Sequence, residues 1–206
     1  MARSVPGTDP RGDPRTALLD AARARFVEQG VARASLAEIR AAAGVSNGSL
    51  FHWFPTKAHL ARGVYLEALG AFQAAVLAAL ADDPPARRGV EALVRAHAAW
   101  VAAHPDRARV LAELRADTTV EGEPVDWAAA NAEAFGALRA WLAPHVADGT
   151  VQDLPLGLFL ALAFGPALQL TRAWTRRAPT DRTVDVLARA AWRAVATEEA
   201  AWTPQR

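Results

Sequence analysis

Ser46, Asn47, Gly48 and Ser49 form the set of residues in this chain best suited to short-range polar recognition. An asparagine amide sets a donor beside an acceptor in the spacing that adenine presents in a DNA major groove. A serine hydroxyl reaches several base edges, and glycine lets a backbone come close. No comparable set suggests catalysis. Cysteine is absent, which removes disulfides, thiolate chemistry and Cys-based zinc sites. Neither a serine elbow nor a glycine-rich phosphate loop occurs. His97 and His104 lie seven apart with no third ligand placed beside them. The expectation is therefore no enzyme, no catalytic residues, no metal and no cofactor.

Such recognition residues need a rigid helix to present them, and the surrounding pattern supplies one. Pro14 suits a first helical position and Gly30 a helix end. Between them Leu18, Leu19, Ala22 and Phe26 repeat at helical spacing. Ser35 offers an N-cap to a second helix, Leu36 to about Ala43, with Glu38 placed to complete a capping box. Gly44 supplies a turn and Val45 an apolar plug, with Ala42 and Ala43 as the small contact between helices. Ser46 or Asn47 caps a short third helix ending near Trp53, anchored from behind by Leu50 and Phe54. Residues 35–53 thus read as a helix-turn-helix. Phe54-Pro55 breaks the chain, and Thr56 caps a long fourth helix with Tyr65, Leu69, Phe72, Val76 and Leu80 on its apolar face.

From Leu19 to Leu60 the sequence resembles the N-terminal domain of the TetR family of transcriptional regulators. The resemblance rests on Phe26 and Gly30, on Ala43-Gly44-Val45-Ser46 and Gly48-Ser49-Leu50-Phe51, on the aromatic pair Trp53-Phe54, and on Lys57 before Leu60. It implies a DNA-binding set of Ser35, Ser46, Asn47, Gly48, Ser49, His52, Trp53, Thr56 and Lys57. Asn47 and Ser49 are the base-edge candidates. Ser35 either caps its helix or directs amides at a phosphate. His52 contacts phosphate or base, or lies idle at the surface. Trp53 stands where the family usually has Tyr or His, and it either donates its indole N–H to a phosphate or packs in the core. Lys57 is the only lysine among 23 basic residues. Its ammonium either meets a backbone phosphate or is merely solvated.

Charge is distributed accordingly. Residues 1–62 carry a net +4 and residues 63–206 a net −3, a basic head on an acidic body. Pro6, Gly7, Pro10, Gly12 and Pro14 mark residues 1–13 as a disordered arm, without an apolar leader. Residues 14–62 are then the DNA-binding domain. Residues 63–206 are, by the same resemblance, a helical ligand-binding and dimerisation domain, which makes the chain all-α with about nine helices. Helices are expected at about 86–103, 106–118, 125–147, 154–177 and 181–200, with an acidic loop at 118–124. The apolar run Leu154–Leu170 is interrupted by Pro155, Gly157, Gly165, Pro166 and Gln169 and reads as too short and too broken for a membrane span, so no membrane partner and a cytoplasmic location are expected.

Seven tryptophans are many for 206 residues. Phe72, Trp100, Trp127, Phe135, Trp141, Phe159, Phe164 and Trp174 are candidates to line an apolar effector pocket, or else plain core. Leu158, Ala161, Leu162, Gly165, Leu168 and Gln169 share one side of an apolar helix. Ala188, Ala191, Trp192 and Val195 form a stripe on the last one. Packed against their symmetry mates, these faces would make a homodimer, matching a palindromic double-stranded operator. The expected function is a repressor released from DNA by a small, largely apolar effector. An activator of the same fold, or a helical adaptor that has lost DNA binding, is the alternative.

Overall fold

The computed structural model describes residues 13–114 and 126–202, with the backbone alone described at Leu114, Trp127, Ala201 and Trp202. Residues 1–12 of the arm expected at 1–13, the end of the helix expected to reach 118, and the acidic loop at 118–124 lie outside the described residues, whereas Asp13 is described and caps the first helix.

Ten helices are described. They are α1 Pro14–Gln29, α2 Leu36–Ala43, α3 Asn47–Trp53, α4 Lys57–Leu77, α5 Ala86–Ala103, α6 Pro105–Leu114, α7 Trp127–Ala147, α8 Leu156–Trp174, α9 Asp181–Val195 and the short α10 Glu198–Trp202. The chain is all-α, and strand pairing among the described residues is limited to one isolated antiparallel bridge between Val151 and Ala196.

The head assembles on a stripe of buried side chains. Pro14 opens α1, and the Asp13 carboxylate caps it by accepting from the amides of Arg15 and Thr16 at 3.2 and 3.3 Å. Leu18, Leu19, Ala22 and Phe26 then bury one face of α1 against Ile39 of α2, Leu50 of α3, and Leu60 and Val64 of α4. Gly44 ends α2 in the left-handed conformation at φ 66°, which a side chain would strain. The small contact beside this turn comes from half-buried Ala43, since Ala42 is exposed. The expected capping box is not formed: Ser35 occupies the N-cap position but its hydroxyl makes no cap hydrogen bond.

A second core fills the body, where α5 packs against α4, α8 and α9. Gly89 of α5 is needed there. A Cβ at that position would lie 2.1 Å from Cζ2 of Trp141, so the absent side chain lets the indole of α7 seat on the α5 backbone. A boundary at 62/63 falls inside α4, which gives Leu60–Tyr65 to the head cluster and Val76 to the body cluster. Val110 of α6 also enters the head cluster. Glu67 of α4 ties these parts together, accepting from Arg23 of α1 at 3.1 Å and from Arg107 of α6 at 2.7 Å.

One sequence expectation is corrected by backbone detail. The segment expected as one helix over 181–200 stops at Val195, because Ala196 turns extended to bridge Val151 and the Gln152 amide donates to the carbonyl of Ala196 at 2.7 Å. Within the stretch expected as a helix over 154–177, α8 runs unbroken through Pro166 for 19 residues. By length and composition α8 and the Lys57–Leu80 segment are each apolar enough to cross a membrane. Each buries one side in a core of this chain, through Leu60, Val64 and Val76 in one case and Phe159, Ala163 and Trp174 in the other.

Candidate nucleic-acid interface and effector core

The turn and the third helix present their polar residues unevenly. The Ser46 hydroxyl is occupied as the α3 cap, accepting from the Ser49 amide at 3.0 Å. Asn47 and Gly48 are exposed and Ser49 is half-buried. Leu50 and Phe54 hold the helix from behind, both buried. The turn itself is braced by a contact that sequence did not suggest: the Arg40 guanidinium donates to the Val45 carbonyl at 3.1 Å.

Three aromatic residues stand on the outer side of α3. Trp53 is 41% exposed, which excludes the packed-core reading. It meets His52 edge-to-face, with ring centroids 5.4 Å apart. Phe51 is 45% exposed and had not been singled out for contact. The signal was present: Leu50 and Phe54 define the buried stripe at a spacing of four, and position 51 lies off it.

Behind the helix, two expected contact groups already have partners inside the protein. The Thr56 hydroxyl caps α4, accepting from the His59 amide at 3.3 Å and lying 2.8 Å from His59 Nδ1. Lys57 is half-buried and engaged within the protein. Its ammonium donates to the carbonyls of Ala32 and Ala34 at 2.8 and 3.3 Å, clasping the α1–α2 loop. Two of its three N–H donors are thereby used. This clasp sets the start of α4 against the loop that carries Ser35.

Residues 18–64 match the family model described as bacterial regulatory proteins, tetR family. This segment is thus similar to that family's domain. The described residues have the corresponding fold. It superposes on a TetR-family transcription regulator from Marinobacter aquaeolei VT8 with a TM-score of 0.75 at 20% identity, covering 90% of this chain and 96% of that one. A TetR-family regulator structure from Shewanella sp. PV-4 gives 0.70 at 24% identity, over 91% and 100% of the two chains. The fatty acid degradation regulator FadR from Bacillus halodurans gives 0.64 at 20% identity, over 86% and 97%. At such identities the likeness is one of fold. No curated protein matches the sequence.

In this TetR-type body the eight aromatic candidates do not form one lining. Phe72 of α4 and Phe164 and Trp174 of α8 surround His97 of α5, with ring centroids 5.4, 6.1 and 6.0 Å from the imidazole. Trp100 joins them through Phe72 at 5.2 Å. Trp141 belongs elsewhere: it seats on Gly89, donates Nε1–H to the Pro84 carbonyl at 3.2 Å and lies edge-on to His145. Phe159 is buried in the body core and Phe135 is half-buried. The side chain of Trp127 lies outside the described residues.

His97 is the residue that sequence reading undervalued. It is 2% exposed, whereas His104, the other half of the pair weighed for metal, is exposed and lies tilted against Trp100. Nε2 of His97 lies 3.1 Å from Thr171 Oγ1, and Nδ1 has no hydrogen-bond partner among the described residues. Burial holds its pKa down at about 4, so the ring is neutral near pH 7. An unmatched buried acceptor costs about 1–3 kcal/mol.

The two expected dimer faces also part company. On α8, Leu158, Ala161, Leu162, Leu168 and Gln169 are exposed and Gly165 is half-buried. On α9, Ala188, Ala191, Trp192 and Val195 are buried in the chain's own core, so that stripe faces inward and cannot meet a second copy. The amphipathic period of α9 had located an apolar face correctly, but α5 and α8 cover it.

Proposed function

We propose that this protein is a cytoplasmic, DNA-binding transcription regulator that acts as a homodimer and is released from its operator by a small, largely apolar effector. The observation that carries the reading is the exposed outer side of α3, in a domain matching the TetR family. Asn47 and Ser49 read base edges, Gly48 permits close approach, and Phe51 supplies an apolar surface for a thymine methyl. Ser35, His52, Trp53 and the remaining N–H of Lys57 meet backbone phosphates, which position the head without reading sequence. Ser46 and Thr56 act as helix caps rather than contacts.

One short reading helix per chain implies two half-sites. The exposed α8 face is the surface for the second copy, with Leu158 46% and Leu162 36% exposed. Effector binding in the body biases the spacing of the two heads only if it favours the DNA-incompetent arrangement.

Gel shifts with DNA flanking the protein's own gene test this. Wild type retards a palindromic fragment at nanomolar concentration, with binding that weakens steeply as salt rises. Asn47→Ala relaxes base preference by about 1–3 kcal/mol at one position. In sedimentation, Leu162→Arg yields monomer. A wild-type protein without salt-sensitive binding to any fragment sinks the regulator reading.

A further inference from the structure

The buried hydrogen-bond chain through His97 determines what chemistry an occupant of the aromatic cluster must bring. Thr171 Oγ1 contacts two groups, the Ala167 carbonyl at 3.3 Å and His97 Nε2 at 3.1 Å. A hydroxyl has one proton, and a carbonyl can only accept. Both contacts are hydrogen bonds only if Thr171 donates to Ala167 and His97 Nε2–H donates to Thr171. The proton of the neutral imidazole therefore sits on Nε2. Nδ1 is left as a bare lone pair, with no donor among the described residues.

Phe72, Phe164 and Trp174 stand around this ring at edge-on angles. They offer flat apolar surface and no counter-charge. A charged occupant would lose its hydration without compensation, and an occupant with acceptors alone would face the lone pair unfavourably. We propose that His97 Nδ1 is the polar anchor of an effector site walled by Phe72, Phe164 and Trp174, and that the effector is a neutral ring-bearing molecule with one hydroxyl or N–H donor. This rests on reading the body as an effector domain. Thr171 is a positioning residue: it holds the proton on Nε2 and so keeps Nδ1 an acceptor.

Matched probes test the inference. Full-length protein is titrated calorimetrically with 2-naphthol and 2-methoxynaphthalene, and with phenol and anisole as a smaller pair. Within at least one pair, the donor-bearing probe is expected to bind about tenfold tighter or better than its ether. His97→Phe reduces that ratio to about twofold or less. Thr171→Val allows the proton to move to Nδ1, so the ratio falls and the ether gains affinity. That redistribution is not expected from a merely structural threonine. Should His97→Phe not fold, Thr171→Val decides. Equal affinities within both pairs, no binding by either pair, or a ratio unchanged in the variants overturns the proposal. Operator binding is followed in the same preparation. Its absence fails the regulator reading, whereas intact operator binding without donor preference fails the His97 inference by itself.

Discussion

Gly48→Ala should raise stability and lower DNA affinity at once, and the two effects can be separated. Gly48 lies within α3, and an added Cβ would meet only the Ser46 hydroxyl at 3.9 Å, an ordinary contact. Nothing in the fold therefore requires glycine there. Alanine is favoured over glycine inside a helix by about 0.5–1 kcal/mol. For a chain of this size each kcal/mol moves the melting midpoint by about 2–4 °C, so a rise of about 1–4 °C is expected, read by circular dichroism. On the proposed DNA reading, the new methyl would hold the α3 backbone away from the groove and pull Asn47 off its base. A bidentate Asn–adenine pair is worth about 1–3 kcal/mol, so operator affinity should fall about tenfold in a fluorescence anisotropy titration. A lower melting midpoint would refute the packing argument. A more stable variant that binds operator like wild type would refute the close-approach argument.

Burial depresses the His97 pKa from 6.5 to about 4 in the folded protein, so the unfolded chain takes up a proton first as pH falls. The associated stability is fully present above pH 6.5 and is lost on acidification toward pH 4, by up to roughly 3 kcal/mol; His97→Phe should flatten that slope in urea titrations. Gly89→Ala forces a Cβ to 2.1 Å from Trp141, so a loss of about 1–3 kcal/mol or more is expected, with partial recovery when Trp141 is also shortened to Leu. Glu67→Gln removes a carboxylate shared by Arg23 and Arg107. Because all three are partly exposed, the stability cost should be about 1 kcal/mol. Its larger effect is on communication: operator affinity measured without effector stays near wild type, while the effector-induced loss of affinity shrinks.

The head was largely legible in the sequence because its determinants are local. Pro14, Gly30, Gly44 and the cap at Ser46 act within a few residues of their own positions, and the apolar period between them places Leu18, Leu19, Ala22, Phe26, Ile39 and Leu50 inward. The same locality explains why the third helix and its outward Asn47 and Gly48 could be anticipated. The capping box failed although its two residues were in place, since side-chain oxygens form such bonds only when their rotamers permit it.

Beyond the head, sequence determined that the body is helical, apolar and rich in aromatic residues, because composition and period survive any arrangement of helices. It could not determine which apolar face meets which neighbour. Ala188 and Trp192 carry the same periodic signature as Leu158 and Leu162, yet the first pair is buried by α5 and α8 while the second stays exposed. Only the packing of α4, α5 and α8 brings Phe72, His97, Phe164 and Trp174 together, and only Thr171, 74 residues away from His97, assigns the proton on the imidazole. The same holds for Lys57, whose type suggested a phosphate partner. Its ammonium is clasped by carbonyls 23 and 25 residues earlier in the chain. Local pattern can specify elements and their faces, but hydrogen-bond partners and burial between distant segments exist only once those faces have been matched.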